Sequence, residues 1–154
     1  MWVDVRSFAI DRDADDRTLL AQLAESPGYA HSYASPYDPA DEVVEPAIHG
    51  PYWRKSISAD LFEPVTMAEA EAVLLDWASN QEWSDPEYRQ PEDALARLNR
   101  VCERLGRGAL FRLANPGAEE WHDWGGVVGR LGFHEFVVLD HDRRVVDLIV
   151  AADD

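Results

Sequence analysis

The chain has 154 residues, with 30 acidic against 14 basic side chains and a formal net charge of −16. That length and a hydrophobic share of 46% suit one domain with a sizeable core. No apolar run approaches the length of a membrane span. The acids are spread evenly, ten in each of residues 1–50, 51–100 and 101–154. No basic patch stands out for phosphate contacts, so direct nucleic-acid binding is disfavoured. Charge of one sign keeps a protein soluble by self-repulsion and also prepares a surface for a basic partner.

Met1 to Arg6 shows no basic region followed by an apolar one, so a cytoplasmic location is expected. Val3 to Ile10 is rich in β-formers and predicts an opening strand. Asp16 to Ala24 predicts a short helix with Leu19, Leu20 and Leu23 inward.

Residues 26–52 form a long segment rich in proline and tyrosine. It holds Pro27, Pro36, Pro39, Pro46 and Pro51, together with Tyr29, Tyr33, Tyr37, Tyr52, His31 and His49. A connection of this length is a binding loop, a lid or a linker, and its aromatics argue against a plain linker. Its start suits a helical turn, with Ser26 as cap and Pro27 in the first turn. Tyr29, Tyr33, Tyr37, His49, Tyr52 and Trp53 are therefore candidate binding residues on a contact surface.

Tyr52 to Ser58 predicts a second strand. Thr66-Met67-Ala68-Glu69 is a capping box, opening a helix to about Ala78 with Met67, Ala70, Leu74 and Trp77 on one face. Pro91 to Leu105 predicts another helix with Leu95, Leu98, Cys102 and Leu105 inward, stopped by Gly106. Cys102 is the sole cysteine, so no intramolecular disulfide forms, and a buried, inert thiol is expected. Ala109 to Leu113 suits a strand. Asn115 to Leu131 is mixed, and its cluster Trp121-His122-Asp123-Trp124 adds Trp121 and Trp124 as candidate contact residues.

Phe133 to Ala151 predicts two apolar strands around Asp140 to Arg143. A three-residue loop pairing Asp140 with Arg144 sorts the apolar faces best. In that register Glu135 and Asp147 are diagonal neighbours on one face, able to divide acid and base roles. They are the weak catalytic candidates, with His134 beside them. No metal signature, phosphate loop or nucleophile elbow is present, so neither metal nor cofactor is expected.

Trp124-Gly125-Gly126-Val127-Val128-Gly129, Leu131-Gly132-Phe133-His134-Glu135-Phe136 and the closing Ala151-Ala152-Asp153-Asp154 resemble small acidic proteins of actinobacteria. His49-Gly50-Pro51-Tyr52-Trp53 is similar too. That group brings no activity, cofactor or site residue to carry over.

The expected architecture is a single α+β domain over residues 1–154. It has an antiparallel or mixed sheet of about five strands, helices packed on it, and a C-terminal β-hairpin. Two functions fit. One is an acidic interaction protein for a basic protein partner, of inhibitor or immunity type. The other is a small enzyme or small-ligand protein with a carboxylate and histidine site near the hairpin.

Overall fold

Five strands make an antiparallel sheet in which the last strand in sequence lies inside, second from one edge. A computed structural model describes residues 2–10, 14–33, 47–79, 87, 89–122 and 132–153. The strands of the sheet are β1 (Trp2–Ala9), β4 (Phe62–Pro64), β5 (Ala109–Leu113), β6 (Phe133–Asp140) and β7 (Val145–Ala152). Their spatial order is β1-β7-β6-β5-β4. Two further strands, β2 (Ile48–His49) and β3 (Tyr52–Trp53), pair with each other alone. The helices are α1 (Asp16–Glu25), α2 (Met67–Ser79) and α3 (Glu92–Leu105). The α+β class and the C-terminal hairpin are as expected from the sequence.

Local chemistry sets the helix ends. The Asp15 carboxylate accepts from the Thr18 amide at 2.9 Å and caps α1. At α2 the box closes both ways: Thr66 N–H donates to Glu69 Oε2 at 2.8 Å, and Glu69 N–H donates to Thr66 Oγ1 at 3.2 Å. The opening of the proline–tyrosine segment is one 3-10 turn, Pro27–Tyr29, with no side-chain cap from Ser26. The strand expected over Tyr52 to Ser58 is cut short, because Arg54–Ser56 coils into a 3-10 turn after β3.

The register of the hairpin corrects the expectation. Asp140 pairs with Val145, so the turn spans residues 141–144. Asp140 Oδ1 accepts from Arg143 N–H at 2.9 Å, and Arg144 adopts the left-handed conformation with φ 58°. One residue of slip moves every side chain of one strand to the other face. Glu135 and Asp147 therefore lie on opposite faces, and their proposed acid–base pairing is lost.

Both faces are covered. One packs Val137, Leu139, Val146, Leu148 and Val150 against Leu19, Leu20 and Leu23 of α1 and against Tyr29, Tyr33 and Tyr52. The other packs Phe136, Val138, Ile149 and Ala151 against Ala70, Leu74 and Trp77 of α2 and Leu98, Cys102 and Leu105 of α3. Strands buried on both sides read as continuous apolar runs, which is how β6 and β7 appear in the sequence. Leu95, expected inward, is exposed, and so is Met67, expected on the apolar face of α2 but sited in its first turn. Among the described residues no helix is long and apolar enough to cross a membrane.

Candidate functional site

Three separate stretches of chain meet over the start of β6 on the α1 face. His31 forms an isolated bridge with His49, and the Gly50 amide donates to the His31 carbonyl at 2.8 Å. Gly50 has φ 52°, and a Cβ there would collide with the Phe133 ring, so glycine is required on both counts. Tyr52 bridges Trp121, and His122 Nε2–H donates to the Gly50 carbonyl at 2.8 Å. These contacts press β2 and β3 against Glu135.

Glu135 is 1% exposed and fully engaged. The Tyr29 hydroxyl donates to its Oε1 at 2.8 Å. His49 Nε2 stands 2.5 Å from its Oε2. His49 Nδ1 lies 2.5 Å from the Tyr29 carbonyl. A carbonyl only accepts, so Nδ1 carries a proton and donates. Nε2 and Oε2 cannot face each other at that separation without a proton between them, so the pair shares one. The Tyr29 and His49 rings stack with centroids 3.6 Å apart and planes 6° from parallel. Tyr29, Glu135 and His49 thus form a closed loop of donors and acceptors. Burial first, and the Glu135 carboxyl second, push the Tyr29 hydroxyl well above its ordinary pKa.

Tyr33 sits beside this loop, edge-on to His49 at 5.3 Å and to Phe133 at 5.8 Å. Its hydroxyl is buried with no hydrogen-bond partner among the described residues. Its backbone is in the left-handed region at φ 53°, unusual outside glycine. The Tyr33 amide donates to His31 Nδ1 at 2.9 Å, which needs that nitrogen unprotonated. Burial first, and the Arg6 charge second, lower the His31 pKa to about 4.

The structure brings Tyr29, Tyr33, His49, Tyr52 and Glu135 into one cluster, but as core. The expectation of an exposed tyrosine surface is corrected: Tyr29, Tyr33 and Tyr52 are buried, as is His49. The rings lie inward because Glu135 and Phe133 give them polar and aromatic partners there. Trp53 stays on the surface at 36% exposure, edge-on to His122, while Trp121 is half-buried against Tyr52. Tyr37 and Trp124 lie outside the described residues. His134 faces the other side of the sheet, edge-on to Trp77. Asp147 is on that side too: Ser7 Oγ–H donates to its Oδ1 at 2.5 Å, and Arg104 reaches its Oδ2 at 3.4 Å. Among the described residues no three His, Cys, Asp or Glu side chains converge to hold a metal ion.

Clefts among the described residues lie away from this cluster. One, of about 610 Å³, is lined by Glu25, Trp53, Arg54 and Lys55 among others. A second of about 340 Å³ lies between Trp2, Trp77 and the α3 residues Leu95 and Leu98. Another, of about 130 Å³, lies beside Phe8 and Leu19. None of them is lined by His49 or Glu135. Sequence reasoning singled out Tyr29, His49 and Glu135 individually, but nothing in their spacing signals that they bond to one another. No protein family, curated protein or solved structure matches the chain, so the likeness to small acidic actinobacterial proteins rests on its quoted residues alone.

Proposed function

We propose that the chain is an acidic binding protein whose helical layer docks on a basic protein partner, in the manner of an inhibitor or immunity-type protein. The observation that carries this reading is α2. It holds Glu69, Glu71 and Asp76 with no basic residue, and it exposes Met67 and Leu75. Leu95 of α3 is exposed as well, so among the described residues three of the four exposed large apolar side chains belong to these two helices. An acidic excess of −16 remains even though Arg6, Arg17, Arg97, Arg104 and Arg143 each face an acid of their own chain. Apolar anchors inside an acidic surround suit a basic partner: the anchors give affinity, and the charge gives rate and selectivity. The buried tyrosines leave the anchoring role to Leu75, Met67 and Leu95.

The test is co-purification from the native cell, identification of the bound protein, and kinetics with the purified pair. Association should slow several-fold between low and high salt while dissociation changes less. Leu75→Ala with Glu71→Gln should weaken binding at an unchanged melting temperature. Recovery of only a small molecule, or binding indifferent to salt and to both substitutions, overturns the reading.

A second reading places a small ligand or a reaction at the Tyr29–His49–Glu135 cluster. The proton between His49 and Glu135, next to a Tyr33 hydroxyl with no partner among the described residues, favours it. It requires that Glu135→Gln abolish ligand binding or turnover while the fold persists. A fully active Glu135→Gln variant sinks it.

A further inference from the structure

The two edges of the sheet are unequal. The β4 edge has three residues and ends in Pro64, which has no N–H to offer. Short edges and edge prolines are common protections against strand addition. The β1 edge has eight residues, and no backbone hydrogen bond reaches its outer side from the described residues.

The register identifies the open groups. β1 pairs antiparallel with β7, Trp2 opposite Ala152 through Ala9 opposite Val145. Ile10 continues that pairing, its N–H donating to the Arg144 carbonyl at 3.2 Å. In an antiparallel ladder, bonded and non-bonded pairs alternate. Trp2, Asp4, Arg6 and Phe8 therefore turn their backbone groups toward β7. Val3, Val5 and Ser7 turn theirs outward, as does Ala9.

That edge is complementary to itself. Two copies of β1 laid antiparallel about a two-fold axis at Val5 place Val5 opposite Val5 and Val3 opposite Ser7. All of these residues have outward backbone groups, so they form the bonded pairs. The non-bonded pairs, where side chains approach closest, are then Trp2 opposite Phe8 and Asp4 opposite Arg6, each occurring twice. An aromatic pair and an opposite-charge pair are both favourable cross-strand contacts. Within one chain the Asp4 and Arg6 side chains already meet at 2.5 Å on the same face, each about a quarter exposed. A partner strand gives each a second opposite charge at no cost in net charge.

We infer that the occupant of the β1 edge is a second copy of this chain, joined β1 to β1 in a two-fold dimer with one continuous ten-stranded sheet. The arrangement is isologous, so it closes and leaves the short β4 strands as its only sheet edges. The inference does not depend on the acidic-surface reading. The overall charge of −16 per copy opposes association, so the interface operates where salt screens it.

The test is sedimentation of the intact chain over micromolar concentrations at physiological salt. A reversible dimer is expected. Val5→Pro removes an outward N–H and spares the β1–β7 ladder, so it should raise the dissociation constant at least about tenfold while melting stays cooperative. Should Val5→Pro fail to fold, the charged pair decides. Asp4→Arg alone places like charges across the axis and should also weaken the dimer at least about tenfold. Asp4→Arg combined with Arg6→Asp should restore it. A chain that stays monomeric at every concentration overturns the inference. So does a dimer indifferent to the single charge reversal.

Discussion

Glu135 and Asp147 are buried on opposite faces of the sheet, and the two are stabilised differently. Glu135, on the α1 face, is 1% exposed and is held by the buried side chains of Tyr29 and His49. Asp147, on the α2–α3 face, is 7% exposed and is held by the Ser7 hydroxyl and by Arg104, whose side chain is 37% exposed. The first is a closed polar core that pins three chain segments to β6. The second is a rim contact at the boundary of an apolar layer. A buried group whose partners are also buried has no alternative when one is removed, whereas a rim group can turn to solvent.

That contrast is breakable. Glu135→Ala strips both Tyr29 and His49 of their partner and should cost about 3–5 kcal/mol in denaturant unfolding. Asp147→Ala should cost less, about 1–2 kcal/mol, because Arg104 and Ser7 can reach water. Equal losses would show that the two carboxylates are equivalent. The neighbouring ring sharpens the point. Tyr33→Ala should cost about 3–5 kcal/mol as a cavity in the core. Tyr33→Phe removes only a hydroxyl without a partner, and should change stability by no more than about 0.5 kcal/mol or raise it. A large loss from Tyr33→Phe would reveal a partner for that oxygen.

The smallest effect is a pH dependence. His31 has its pKa lowered to about 4 from an ordinary 6.5, mainly by burial. The unfolded chain therefore takes up a proton first as pH falls. Stability from this group is intact above about 6.5 and is lost between there and about 4. His31→Gln should flatten the fall in stability across that window relative to the parent chain. An unchanged slope would mean that His31 is free to protonate in the fold.

Much of the architecture was legible because it is local. The Thr66–Glu69 box, the inward stripe of Leu98, Cys102 and Leu105, and the apolar runs of β6 and β7 each follow from neighbours within a few residues. Cys102 is buried as that stripe predicts. The hairpin register was not legible, because β6 and β7 are apolar on both faces and the pattern cannot choose between them. The turn was settled by Asp140 capping Arg143 and by the left-handed Arg144. The tyrosine segment misled for a related reason. Proline and tyrosine together suit a surface loop, but Glu135, 106 residues from Tyr29 and 86 from His49, supplies the buried partner that turns those rings inward. The wide separation in sequence hides that contact.

The pairing of β1 with β7 also governs when the fold can form. The strand that joins β1 to the rest of the sheet is synthesised after every other strand of that sheet, and β1 must wait for it. At translation speeds of roughly 5–20 residues per second that wait lasts several seconds or longer, with the apolar faces of β1 and α1 lacking their final cover. Contacts this distant also slow folding after release. Because Trp2 ends up opposite Ala152, joining the two ends by a short linker and opening the chain at an exposed turn, such as residues 141–144, would place β7 first and β6 last. Such a permuted chain separates the cost of sequence order from the cost of topology.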